Sequence, residues 1–109
     1  MSEKGFIQIR CEEDFRKALE RDRALLFKHS SACPISGMAH QEVIDFMEEN
    51  PEVPVYLVEV LGQKNLCRRI AEKLDVRHAS PQAILLKAGE PAWHASHSSI
   101  TAGVLARQL

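Results

Sequence analysis

An α/β domain, with a central mixed β-sheet flanked by helices, is what this sequence predicts, and three observations predict it. Apolar segments of period two alternate with segments of helical period along the chain, in the order βαβαβαββα. The run Val53 to Val60 is β-branched and almost continuously apolar, the pattern of a strand covered on both faces. Two later strand segments flank Ala88-Gly89-Glu90, which reads as a hairpin turn. Crossovers through helices require parallel strands and the hairpin an antiparallel pair, so the sheet is mixed.

Each element follows from its own pattern. Phe6-Ile7-Gln8-Ile9 alternates as a short strand, and Glu12 to Arg21 then places Phe15, Ala18 and Leu19 on one helical face. Leu25 to His29 is the next apolar strand, ending in Ser30-Ser31-Ala32. A helix from Pro34 to about Glu49 carries Ile35, Ala39, Val43 and Phe46 on one face, and Asn50-Pro51 stops it. Val53 to Val60 is expected to be the central parallel strand. Gln63 to Leu74 is a further amphipathic helix through Leu66, Ile70, Ala71 and Leu74. After Arg77-His78-Ala79-Ser80 and Pro81, the strand Gln82 to Lys87 pairs through the turn with Pro91-Ala92-Trp93-His94. Ile100 to Gln108 closes the chain as a short helix.

Composition bounds the function. A chain of 109 residues, 45% hydrophobic, is expected to form one domain over 1–109 around a single core. Fourteen basic and fifteen acidic residues leave a net charge of -1 without a basic block, so nucleic acid is not an expected partner. No apolar run approaches the roughly 20 residues that span a bilayer. Met1-Ser2-Glu3-Lys4 has no apolar signal core. The expectation is a cytoplasmic protein with no membrane partner. Cys11, Cys33 and Cys67 are odd in number and far apart, which argues against a disulfide framework and, without close Cys or His partners, against a metal site.

The chemistry concentrates at Cys33-Pro34-Ile35-Ser36, where the second strand turns into the second helix. A cysteine at a helix N-terminus meets unpaired N–H groups and the positive end of the macrodipole, and both favour the thiolate. Cysteines so placed have pKa values of roughly 3.5 to 7.5, against about 8.5 when free. The thiolate is the nucleophile of thiol-disulfide exchange, which makes Cys33 the candidate catalytic residue. Pro34 suits the first helical turn, where its missing N–H costs little. Ser36 occupies the place of the resolving cysteine in a Cys-x-x-Cys motif, so the site reads as one-cysteine chemistry. Its hydroxyl either donates to the Cys33 sulfur or is a solvated first-turn serine. A lone cysteine is also a common small buried hydrophobe, and that alternative stands beside the catalytic one.

Three blocks give the chain a closer likeness: Lys28 to Ser36, His78-Ala79-Ser80-Pro81-Gln82, and Trp93 to Thr101. With them the sequence resembles the thioredoxin fold and, within it, the monothiol bacilliredoxin (YtxJ-like) family, nearly end to end. The resemblance implies a cytoplasmic thiol-disulfide oxidoreductase of oxidative stress with no bound cofactor. Bacillithiol would be its thiol co-substrate, and S-bacillithiolated proteins its clients. Cys33 is then the redox cysteine, with Ser31, Ala32, Pro34, Ser36, Ser80 and Pro81 as the substrate-binding set. Pro81 is implied to be cis, leaving the Ser80 backbone to pair with an extended client segment. Free bacillithiol or another redox protein would recycle the enzyme. Two features depart from the family pattern: Ser31-Ala32 stands where a Thr-Thr pair is expected, and Cys67 belongs to no family motif.

Other residues receive plainer readings. His29 is expected in a structural or solvated role at a strand end, His94 and His97 near polar capping at Ser98, and Trp93 in hairpin packing. Cys11 and Cys67 are expected to be buried or half-buried, the sharper alternative being that one of them is a distant resolving thiol. Two rival functions remain at this stage, an iron-sulfur-binding monothiol protein and a redox sensor or adaptor without turnover.

Overall fold

The computed structural model describes residues 5–32 and 34–109, and of Ile35 the backbone alone. Five strands and four helices follow the order expected: β1 (Ile7–Gln8), α1 (Glu12–Leu19), β2 (Arg23–His29), α2 (Pro34–Glu49), β3 (Val55–Glu59), α3 (Lys64–Leu74), β4 (Gln82–Lys87), β5 (Glu90–Ser96) and α4 (Ala102–Arg107). Short 3-10 turns at Val60–Gly62 and His97–Ser99 precede α3 and α4.

The sheet runs β1-β3-β2-β4-β5. β3 pairs in parallel with both β1 and β2, while β4 is antiparallel to β2 and β5. β3 is thus the central strand of the parallel set, as expected of the Val53 to Val60 run, while β2 is the middle strand of the whole sheet. Continuous apolarity reports that both faces are covered, a condition that β2, β3 and β4 share, and carries no information about order.

Strand parity divides the core. Ala24, Leu26, Tyr56, Val58, Ile84 and Leu86 face one way, against Phe15 and Ala18 of α1 and Leu66, Cys67 and Ile70 of α3. Leu25, Phe27, Val55, Leu57, Ala83 and Leu85 face the other, against Ala39, Val43 and Phe46 of α2 and Leu105 of α4. Each fully buried aliphatic or aromatic side chain contributes roughly 1.5–3 kcal/mol relative to exposure. Trp93 packs at the edge of the second cluster, as expected of the hairpin.

Helix ends match local chemistry. The Asn50 side chain donates to Phe46 O at 3.0 Å and closes α2, and Asp75 turns left-handed after α3 (φ 55°). The β4–β5 turn has positive φ at both Ala88 and Gly89. At α4 the capping side chain is Thr101, which accepts from Val104 N at 3.1 Å, rather than a group near Ser98. The helix consequently starts two residues later than the apolar pattern from Ile100 suggests. Cys11 stands at the N-cap of α1 without a side-chain capping bond and is exposed, contrary to expectation, because it precedes the buried face that begins at Phe15.

Candidate functional site

The sheet brings three connections to one end. Lys28 pairs with Val58 and His29 with Glu59 on one side, while Lys28 pairs with Gln82 on the other. The segment after β2, the turn after β3 and the segment before β4 therefore leave the sheet side by side at the carboxyl ends of its parallel strands, where α/β folds place their ligands.

Ser31, Ala32 and Pro34 are exposed at that end, and α2 starts at Pro34. Cys33, the predicted nucleophile, lies outside the described residues. So does the side chain of Ile35, which leaves Ala39, Val43 and Phe46 to define the packed row of α2. The first turn of α2 holds no carboxylate, so nothing there opposes negative charge at the helix N-terminus.

Ser36 is not a solvated serine. It is 0% exposed, and its Oγ accepts from Ser30 N at 3.1 Å, fastening the segment that follows β2 to the first turn of α2. A hydroxyl that accepts one bond keeps its own proton to donate. Ser36→Ala removes the acceptor of a part-buried N–H, and thermal unfolding is expected to show a loss of about 1–3 kcal/mol.

A second anchor was not foreseen. Glu59 Oε2 accepts from Ser31 N at 3.2 Å and from Leu61 N at 3.4 Å, so one carboxylate holds both the loop after β2 and the 3-10 turn after β3. A carboxylate closing an otherwise apolar strand was the signal available in the sequence.

Opposite this loop the Ser80-Pro81 peptide is cis, as the resemblance implied. Pro81 is buried, and its carbonyl accepts from His97 N at 3.0 Å. Ser80 precedes Gln82, the first paired residue of β4, and among the described residues its buried Oγ has no hydrogen-bond partner. Gln82 is buried and donates through Nε2 to Arg77 O at 2.9 Å, which braces the segment leading to the proline. Beside these loops Met38, 71% exposed, lines a hollow of about 300 Å³ with His97, Ser98, Ile100 and Thr101.

The histidines have structural surroundings. His29 packs its ring 5.7 Å from Phe27 and 4.7 Å from His40 of α2. His94 lies exposed on β5, and His97, also exposed, opens the 3-10 turn with φ 55°. Among the described residues no group of three or more His, Cys, Asp or Glu is arranged to hold a metal. No helix of the described residues is long and apolar enough to cross a membrane.

Comparison with known proteins agrees with this geometry. The profile of the family described as monothiol bacilliredoxin BrxC matches residues 7–105. Among solved structures, a candidate oxidoreductase with a thioredoxin fold is 30% identical, with a TM-score of 0.90 over 95% of this chain and 93% of that one. Mitochondrial thioredoxin 3 from Saccharomyces cerevisiae, in its oxidised form, is 16% identical with a TM-score of 0.74 over 94% and 91% of the two chains. A thioredoxin from Trypanosoma brucei brucei is 17% identical with a TM-score of 0.76 over 94% and 86%. The fold is thioredoxin-like, and the matches support a thiol-redox role.

Proposed function

The chain belongs to the monothiol bacilliredoxin family, and from that premise we propose that it removes bacillithiol from S-bacillithiolated proteins by thiol-disulfide exchange at Cys33. In the first step the Cys33 thiolate attacks the bacillithiol sulfur of the mixed disulfide. The client sulfur leaves as a thiolate and takes up a proton, and Cys33 is left joined to bacillithiol. In the second step the thiolate of free bacillithiol attacks that disulfide, giving bacillithiol disulfide and restoring the Cys33 thiolate.

The observation that carries this reading is Ser36. At the place of a resolving thiol the protein has a buried hydroxyl already engaged with the Ser30 backbone. An alcohol does not ionise at neutral pH, so the second sulfur comes from outside. The rest of the end fits the role: Ser31, Ala32 and Pro34 are open to solvent, and Ser80-Pro81 would present backbone to an extended client segment. Cytoplasmic residence, with free bacillithiol or another redox protein as the recycling partner, belongs to the same reading.

The test is adduct mapping. The protein is mixed in parallel with the disulfides of bacillithiol, glutathione and coenzyme A, and intact mass and peptide mapping follow. A bacillithiol adduct on Cys33 that forms fastest of the three, is absent in Cys33→Ala and disappears on adding bacillithiol is the expected result. An unmodified Cys33, or a Cys33-Cys67 disulfide in place of the adduct, would overturn the one-cysteine mechanism.

A further inference from the structure

Along α3, on the side of the sheet away from α2, runs a cavity of about 840 Å³, within the size range of small-molecule sites. Its floor is apolar, from Val60, Cys67, Ala71 and Val76, and its rim is charged. Lys64 and Arg68 come from α3, and Arg77 and His78 from the segment that leads to Ser80-Pro81. All four are exposed, and among the described residues Lys64, Arg68 and Arg77 make no salt bridge.

These cations stand where the helix itself does not favour them. Lys64 and Arg68 are four apart, so they are like-charged neighbours on one helical face, an arrangement that opposes helix formation. The first turn of α3 has no acidic residue to offset them. The carboxylates that share the rim, Glu72 and Asp75, lie further along, Glu72 about two turns beyond Lys64. Because α3 follows the end of β3, the positive part of the rim adjoins the end of the sheet that carries the Cys33 loop, and the negative part lies away from it. Glu59, which closes β3, already accepts from Ser31 N and Leu61 N.

His78 is brought to the same end by Lys28, a buried residue of β2 whose Nζ lies 3.2 Å from His78 Nδ1. An ammonium only donates, so beside charged Lys28 the Nδ1 accepts and the ring proton sits on Nε2. Burial and the charge of Lys28 both push the His78 pKa down, which keeps the ring a neutral donor.

We propose that the cationic end of this cavity binds a small dicarboxylate, the malate end of bacillithiol, and holds it while the bacillithiol sulfur is exchanged at Cys33. Two carboxylates match Lys64, Arg68 and Arg77 in charge, with His78 Nε2 as a further donor. The apolar floor screens one side of those contacts from water and strengthens them. Malate carries its carboxylates on adjacent carbons, whereas glutathione carries its two at opposite ends of the molecule. One cation cluster therefore engages both groups only in bacillithiol. The inference rests on bacillithiol as the co-substrate and adds the protein groups that select it.

The test compares two disulfides on the full chain at constant ionic strength, that of bacillithiol and that of its malate-free form, cysteinyl-glucosamine. The adduct mapped to Cys33 is timed. The malate-bearing disulfide is expected to react about tenfold faster or more, an advantage that free malate reduces. Arg68→Gln or Arg77→Gln is expected to narrow the ratio about three- to fivefold, and the triple change Lys64→Gln, Arg68→Gln, Arg77→Gln to abolish it. Arg69→Gln, whose guanidinium is paired with Glu12, is expected to leave the ratio as it is.

A second readout involves no exchange. Cys33→Ser is titrated with malate, with bacillithiol and with the malate-free thiol, and the amide resonances of Lys64, Arg68, Arg77 and His78 are followed. The first two are expected to shift them and the third to leave them in place. If Cys33 reacts with neither disulfide, exchange at Cys33 is refuted on its own account, and the titration decides the dicarboxylate site. Equal rates for the two disulfides, an advantage that survives the triple change, or resonances that move with neither malate nor bacillithiol overturn the proposal.

Discussion

On the proposed mechanism, turnover of an S-bacillithiolated client is expected to fall to the uncatalysed background in Cys33→Ser and to stay within about twofold in Cys11→Ser. The measurement is release of the client thiol with bacillithiol as the sole reductant. Serine in place of Cys33 offers a hydroxyl that is not ionised at neutral pH, so the first exchange has no nucleophile. Cys11 stands exposed at the start of α1, and a serine hydroxyl in its place can still donate to the Asp14 carboxylate as the thiol does. Because position 36 carries a hydroxyl and no sulfur, the second exchange is expected to be bimolecular, with a rate that rises with bacillithiol concentration. Turnover surviving in Cys33→Ser, or independent of bacillithiol, would count against external resolution at Cys33.

Lys28→Met is expected to make the protein more stable near neutral pH, because the burial that depresses the amine's pKa is a cost that an apolar side chain does not carry. The Lys28 amine is buried with His78 as its hydrogen-bond partner, and burial depresses its pKa in the folded state. A base with a depressed folded pKa binds its proton more readily when unfolded. Between the folded pKa and the ordinary value near 10.5, stability of the unmodified protein therefore rises with pH. The advantage of Lys28→Met is largest at low pH and shrinks as pH approaches that ordinary value. Denaturant unfolding of both proteins from pH 6 to 10 measures it, and a constant or widening gap would contradict the assignment.

What was legible in the sequence was what one segment decides by itself. Pro34 at one end and Asn50-Pro51 at the other bounded α2 to the residue, because starting and stopping a helix is local chemistry. β4 was likewise bounded by Pro81 and the turn at Ala88. Val53 to Val60 was legible as the central parallel strand, but the place of β2 in the middle of the whole sheet was not, since both segments are apolar on two faces. Glu59 looked like the polar end of a strand, and only the register His29 to Glu59 shows why it can reach the Ser31 backbone. Lys28 was read as part of an apolar strand and later as part of a family block. Its parity with Leu26 was written in the chain, but the partner of its amine, His78, is distant in sequence. Of the candidate site, Ser36 was identified by position, but the choice between its two readings was not legible, because burial of a first-turn side chain depends on what β2 brings back against it.

The two margins of the sheet are unequal but equally unwelcoming. β1 is two residues long, and β5 carries Pro91, which has no N–H, next to a break in register between Leu85 and Leu86. A long flat outer strand would be a template on which another chain could polymerise; a stub and an interrupted ribbon are not. The molecule can thus be crowded against unfolded polypeptide without its backbone seeding a fibre along either flank.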